Sequence, residues 1–352
     1  MNLSGIFFIF FCFLPSSSPF LTGKPKINTR ITKIYSNNNN ISEYNTFGLM
    51  QKSRGFFKLI RPSNILPTTF LTFTGGWIMN PSICALLNTQ AFIVGIVNTV
   101  LIMSTSMVIN DLFDIPLDKI NNPRRPLITG EVKPIEAIGL SATLLGISEY
   151  LSFRYLPQNL QIVIHAAIAT ILLYTPVFKK ITLLKNLSCA GLIAFSTFFA
   201  GLTVSPNILA DFVSLRDYSS FFFNKNLGLL AINTQLIFFG SLYIEVLLDI
   251  CDVNGDKKNG INTLPVIYGN ELAFKIANGI AYSNILLNFM ELTVLYNFKA
   301  GALLMILYSP MLYYLKEIRK NGLTKENIIK NANNTTLPLF ATLLYFCILS
   351  FF

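Results

Sequence analysis

Two short segments of this chain carry the same acidic spacing. One reads Asn110-Asp111-Leu112-Phe113-Asp114-Ile115-Pro116-Leu117-Asp118, the other Asp249-Ile250-Cys251-Asp252-Val253-Asn254-Gly255-Asp256. In both, Asp recurs at i, i+3 and i+7, offsets that stack three carboxylates on one face of a helix. The chain has eight Asp, six of them in these segments, and at that frequency an Asp meets partners at both offsets about once in two thousand trials. Three like charges on one face repel unless a cation sits among them. Carboxylates without His or Cys suit hard ions, and Mg²⁺ typically joins one or two carboxylates to substrate phosphates. Asp111, Asp114, Asp118, Asp249, Asp252 and Asp256 are therefore candidate metal ligands. Two such clusters facing each other would clamp a magnesium diphosphate. Solvated loop acids would explain neither the duplication nor the placement of both segments where a hydrophobic run ends.

A diphosphate also needs fixed positive charge. Arg61 precedes the first hydrophobic run, Arg124 and Arg125 follow the first acidic segment, and Lys179, Lys180 and Lys185 follow the fourth run. Lys257 and Lys258 abut the second acidic segment. Arg matches phosphate oxygens with a two-pronged fork, and Lys supplies a point charge. Any one of these residues would serve equally as a membrane-orientation signal. Their concentration around the acids points to an anion site.

The elements that must position these groups are membrane helices. Of the 352 residues 52% are hydrophobic and 12% charged, against about 25% charged in soluble domains, and the mean hydropathy is +0.54. This composition excludes disordered, collagen-like and disulfide-scaffold proteins. Apolar runs near 64–86, 91–113, 135–153, 160–177, 187–205, 227–248, 271–295, 299–315 and 337–352 predict nine spans. With sides alternating, 23 of the 27 Lys and Arg residues fall on one side and four on the other, and this asymmetry sets orientation. The fold class is thus all-α: a polytopic membrane protein of nine transmembrane helices, with membrane lipid as its surroundings and no nucleic-acid partner. The five cysteines show no zinc or disulfide spacing and read as buried thiols. The single histidine, His165, lies in an apolar run without a metal-binding neighbour.

The amino-terminal arm reads separately. Residues 3–14 form an apolar run of signal-peptide length, and between Lys24 and Arg61 come eight basic residues and one acid, Glu43. An apolar start followed by a basic, polar stretch is a two-part address, similar to plastid-targeting leaders of algae with complex plastids. The expected division is residues 1–50 as a leader and 51–352 as the membrane domain, in a plastid membrane or another endomembrane.

Placed after the second and sixth of nine spans, the two acidic motifs resemble those of the UbiA-type intramembrane prenyltransferases. The first reads N-D-x-x-D-x-x-x-D followed by Pro123-Arg124-Arg125-Pro126-Leu127, and the second is followed by Thr263-Leu264-Pro265 and Tyr268-Gly269. Tyr174 through Lys180 is similar to the family's Tyr…Lys element, and Arg61-Pro62 to its entry into the first helix. Pro116 departs from the family pattern. It can end the helix there and move Asp118 out of line with Asp111 and Asp114.

The resemblance implies that the nine transmembrane helices form a bundle around a central cavity, and that the protein is a Mg²⁺-dependent prenyltransferase that moves an isoprenyl group from an isoprenyl diphosphate to a lipophilic acceptor. It implies catalytic roles for Asp111, Asp114, Asp252, Asp256, Tyr174 and Lys179, and diphosphate contacts from Asn110, Arg61, Arg125, Lys179 and Lys257. The stretch Ile120 to Leu127 is more similar to the branch of chlorophyll synthase, homogentisate prenyltransferases and geranylgeranylglyceryl-phosphate transferases than to haem-farnesylating enzymes. The acceptor thus stays open among an aromatic quinone precursor, a chlorophyllide-like ring and a glyceryl phosphate. A rival class is a secondary transporter, since the motifs recur 138 residues apart, as an internal repeat would produce. Transporters, however, hold ions near mid-membrane, whereas these acids lie at span ends.

Overall fold

A long apolar segment in lipid must satisfy its own backbone N–H and C=O groups, and the helix does so within one stretch of chain. The computed structural model describes residues 52–205 and 224–352, and among these every regular element is helical. The leader expected over residues 1–50 lies outside the described residues. Nine described helices of 14 residues or more sit at the nine hydrophobic runs. They are α1 (Ile65–Met79), α2 (Gln90–Phe113), α3 (Pro134–Tyr155), α4 (Gln158–Tyr174) and α5 (Leu184–Val204). The set is completed by α6 (Lys225–Lys258), α7 (Asn270–Leu295), α8 (Phe298–Asn321) and α9 (Thr336–Leu349). Among the described residues, four stretches are long and apolar enough to cross a membrane: Gln90–Phe113, Leu184–Val204, Phe298–Asn321 and Lys325–Leu349.

Three boundaries differ from the sequence expectation, each for a local reason. α1 stops at Met79 instead of running on to residue 86, because Pro81 forces Asn80 into extended backbone (φ −145°, ψ 92°). A short helix restarts at Ile83, capped by the Ser82 hydroxyl, which accepts from the Ala85 N–H at 3.4 Å. α6 runs 34 residues, past the hydrophobic run, and carries the whole second acidic segment on one helix. The first acidic segment does not lie on one continuous helix. α2 ends at Phe113, Asp114 (φ −86°, ψ 9°) forms the joint, and the short helix Ile115–Asn121 begins with Pro116 in its first turn, where a missing N–H is tolerated. Backbone bonding spans the joint, with Asp114 N donating to Asn110 O at 2.9 Å and Asp118 N to Asp114 O at 2.7 Å.

Small residues let these helices approach closely, the usual substitute for hydrophobic pairing in lipid. On α7, Ala273, Ala277 and Ala281 are fully buried and receive Tyr243, Val246, Leu247 and Ile250 of α6. On α1, a Cβ added at Gly75 would lie 1.9 Å from the Thr197 carbonyl oxygen of α5, so no larger residue fits that crossing. Trp77 Nε1 of α1 donates to the Cys347 carbonyl of α9 at 3.1 Å. Large apolar side chains such as Ile135, Phe153, Ile162, Val294 and Ile306 remain exposed on the outside, where lipid rather than water suits them.

The cysteines only partly follow the expectation of buried thiols. Cys347 is buried, Cys84 is exposed, and Cys189 and Cys251 are intermediate, all four free. Cys12 lies outside the described residues. His165 Nε2 lies 2.8 Å from Glu149 Oε2, an exposed pairing of α4 with α3.

Candidate functional site

The carboxyl-terminal ends of α2, α4 and α6 and the amino-terminal end of α5 carry side chains into one cavity of about 350 Å³. Charged residues line its mouth: Arg61, Arg125, Lys179 and Lys185 against Asp114, Asp118, Asp249, Asp252 and Asp256. Residues from further along the same helices, among them Ile102, Ile164, Ile171, Leu192 and Phe199, line the rest with hydrocarbon. A charged mouth over an apolar interior matches a ligand with an ionic head and a greasy tail.

The first acidic segment is organised by cations from outside it. Arg125 Nη1 donates to Asp111 Oδ1 and to Asp118 Oδ2, both at 2.6 Å, and Arg61 Nη2 donates to Asp111 Oδ1 at 2.8 Å. Asn122 Nδ2 adds a bond to Asp118 Oδ1 at 3.2 Å. Lys179, in the short 3-10 helix Phe178–Lys180 that follows α4 and itself buried, donates to Asp114 Oδ1. Asp118 thus keeps company with Asp111 in spite of Pro116, because one guanidinium holds both. Burial pushes the Asp118 carboxyl above its ordinary range, against the pull of Arg125.

In the second segment Asp249 has both oxygens engaged, Oδ1 by Lys185 and Oδ2 by Asn186 Nδ2 at 2.9 Å, both from the first turn of α5. Asp252 is partly exposed and, among the described residues, receives only Lys325 Nζ, at 3.3 Å. Asp256 is 1% exposed, and its Oδ2 has no hydrogen-bond partner among the described residues. Burial, opposed by Lys185, pushes its carboxyl up to about 6. Gly255 brings the two segments together: a Cβ there would lie 2.3 Å from Asn121 Nδ2 and 2.5 Å from Asn121 Oδ1. Lys325 spans the same junction, donating to the Asn121 carbonyl as well as to Asp252.

Two residues with left-handed backbone flank these contacts, Arg61 (φ 49°) and Leu183 (φ 69°). Neither is glycine, so each holds about 1–3 kcal/mol of strain, a cost found where a site fixes its geometry. The one aims the Arg61 guanidinium; the other opens α5 two residues before Lys185.

Among the described residues, no three of His, Cys, Asp and Glu gather tightly enough to hold a metal ion by themselves. Five of the six candidate acids, Asp111, Asp114, Asp118, Asp249 and Asp252, are paired with protein cations instead. The donor set still fits Mg²⁺ with a diphosphate, which asks for only one or two carboxylates per ion and takes other oxygens from phosphate. The unpartnered Asp256 Oδ2 and the loosely held Asp252 are oxygen ligands of that kind.

Other residues singled out in the sequence divide. Asn110 and Tyr174 line the cavity. Asp111 does not: it is 3% exposed and stands behind the wall as anchor for Arg61 and Arg125. Lys257, expected on the diphosphate, is exposed and contributes nothing to the cavity lining, because its position on α6 differs by about 100° from that of Asp256. Lys185 takes the place expected for it. The pattern of charges in the sequence does not single out Lys185 from the neighbouring lysines, nor do the acidic motifs mark Glu245 and Cys189, which also line the cavity. Glu245 had a signal in the chain, since it precedes Asp249 by four residues and extends the acidic helix face inward.

Comparison with known proteins bears on this geometry. Residues 65–330 match the sequence profile of the UbiA prenyltransferase family. The digeranylgeranylglyceryl phosphate synthase of Natronomonas pharaonis is 27% identical over 230 residues, 65% of this chain and 74% of that protein. The synthase of the same name from Sulfolobus acidocaldarius is 30% identical over 231 residues, 64% of this chain and 73% of that protein. Among solved structures, a UbiA homolog from Archaeoglobus fulgidus bound to DMAPP and Mg²⁺ superposes with a TM-score of 0.57 at 19% identity, covering 83% of this chain and 99% of that one. A structure of a digeranylgeranylglyceryl phosphate synthase gives a TM-score of 0.58 at 23% identity, covering 85% and 98%. These likenesses show a shared fold.

Proposed function

The chain belongs to the UbiA prenyltransferase family, and we propose that the isoprenyl group it transfers goes to the hydroxyl of a glyceryl phosphate lipid. Its general activity is that of an integral membrane prenyltransferase, using an isoprenyl diphosphate, Mg²⁺ and a lipophilic acceptor. The acceptor class is supported by the relatives, whose name specifies a glyceryl phosphate bearing two geranylgeranyl groups.

One observation carries the assignment of the site: both acidic segments and four basic side chains line a single cavity whose deeper walls are apolar. Asp114, Asp118, Asp252 and Asp256 would hold Mg²⁺ against the diphosphate. Asp249 and Asp111 position cations, the first holding Lys185 and the second holding Arg61 and Arg125. When bound, the metal would supply Lewis-acid stabilisation of the departing diphosphate. Arg61, Arg125, Lys179 and Lys185 meet the same charge as it grows, with side chains already oriented by carboxylates and so with little reorganisation. Tyr174 and Asn110 border the reacting end of the isoprenyl chain. The apolar lining excludes water, which would otherwise capture the allylic cation.

The arm supports a plastid membrane as the location and residues 1–50 as a separable leader. That reading rests on the arm alone, since the named relatives are archaeal. Expression of residues 1–60 fused to a fluorescent reporter in a plastid-bearing host tests it, and retention of the reporter at the endoplasmic reticulum overturns it.

The activity is tested by offering purified protein in lipid nanodiscs geranylgeranyl diphosphate with a geranylgeranylglyceryl phosphate, a homogentisate or a chlorophyllide acceptor. The expected product is the glyceryl diether, formed with Mg²⁺ and lost on chelation. Turnover of an aromatic acceptor alone would overturn the acceptor assignment. Uptake into sealed vesicles without diphosphate release would favour a carrier.

A further inference from the structure

Below the ring of aspartates the cavity wall contains one more carboxylate. Glu245 lies one helical turn of α6 inside Asp249 and lines the cavity, about 6 Å deeper along the helix axis. Its Oε1 accepts from the thiol of Cys189 on α5 at 3.2 Å. Among the described residues no basic side chain lies within ion-pair distance of it, because the nearby Lys185 is engaged with Asp249. The same cavity is lined with hydrocarbon by Ile171, Leu192, Ile193 and Leu248. A thiol is a weak donor, so it does little to offset the cost of taking a carboxylate from water. An acid at this depth, without an ion pair, has no evident structural use and is a functional residue by default.

The position suits one need of the reaction that the mouth does not meet. With the diphosphate held by Arg61, Lys179 and Lys185, the first carbon of the isoprenyl chain lies just inside the aspartates, where hydrophobic lining begins. An acceptor hydroxyl attacking that carbon must give up its proton there. We infer that Glu245, with Cys189 as its positioning donor, is the proton acceptor for the hydroxyl of the lipid acceptor. The inference rests on the glyceryl phosphate reading above. In the step the acceptor oxygen forms a bond to the allylic carbon, and the carbon–oxygen bond to the diphosphate breaks with its electron pair on the diphosphate. The hydroxyl proton moves to a Glu245 carboxylate oxygen and passes to water as the products leave. The ionisable groups facing Glu245 are Cys189 and Lys185 of α5, Tyr174 of α4 and Asp249 of its own helix.

The test uses full-length protein in nanodiscs with geranylgeranyl diphosphate and geranylgeranylglyceryl phosphate. Glu245→Gln should lower kcat by about 100-fold, the usual contribution of a positioned base, with the affinity for geranylgeranyl diphosphate unchanged by calorimetry. The acid limb of the wild-type pH–rate profile should vanish in Glu245→Gln and persist, displaced, in Glu245→Asp. Cys189→Ser keeps a donor at the same place and should transfer faster than Cys189→Ala. A wild-type rate in Glu245→Gln overturns this assignment alone. So does a loss of diphosphate affinity that parallels the loss of rate, since that marks a structural role. A wild-type enzyme that makes no glyceryl ether but prenylates an aromatic carbon overturns the acceptor reading and this role together.

Discussion

Arg125 follows Asp118 by seven residues and donates from Nη1 to its Oδ2 at 2.6 Å. The same nitrogen reaches Asp111, so one guanidinium ties together two acids separated by a helix break. The helix breaks at Asp114, and Arg125 holds the acids on either side of that break to one guanidinium. Arg125→Ala leaves two buried carboxylates facing each other and should cost on the order of 2–5 kcal/mol, shared between stability and turnover. Arg125→Lys should fall between, since it keeps the charge but must bring a differently placed ammonium to the point where Nη1 meets both acids. Initial rates and thermal midpoints in nanodiscs measure both, and a fully active Arg125→Ala protein would show that the bridge is incidental. Asp118→Asn should be as damaging as Asp114→Asn.

Asp256 offers the clearest separation of function from stability. Its carboxylate is buried with one oxygen unpartnered, an arrangement that costs folding energy until a ligand arrives. Asp256→Asn should keep or raise the thermal midpoint while lowering kcat by about 100-fold. A drop in both would indicate that Asp256 is structural.

Gly255 sets the distance between the two acidic segments. Gly255→Ala drives a methyl group into the Asn121 side chain, an overpacking worth about 1–3 kcal/mol. The variant should insert normally and turn over slowly. Adding Asn121→Ala removes the collision and should recover part of the rate, a coupling that a double-mutant cycle reads directly. Additive losses would mean that the contact does not set the spacing.

The two lysines adjacent in chemistry but not in space should behave oppositely. Lys185→Met strands a buried Asp249 and removes a cation from the mouth, for a loss of about 3–5 kcal/mol. Lys257→Ala is a surface change and should stay within about 0.5 kcal/mol of wild type. Titration with geranylgeranyl diphosphate checks the pair; equal weakening by the two substitutions would return Lys257 to the site.

What the chain determined alone was periodic or compositional. Nine apolar runs dictate helices because lipid offers the backbone no other partners, and in the second segment Asp at i, i+3 and i+7 lies on one helix, whose geometry gives the three carboxylates a shared face. The basic residues around the acids declared an anion site. Tertiary structure decided which of those charges share a cavity. Asp111 and Asp114 are three residues apart, yet one anchors arginines behind the wall and the other borders the opening, a matter of helix rotation and of the joint at Asp114. Lys185 and Asp249 are 64 residues apart and meet only because α5 packs on α6. Glu245 needed the bundle most: a single acid in an apolar run has no meaning until the opposite wall supplies Cys189 and a cavity. Local spacing fixes which faces are charged, and only packing fixes what those faces see.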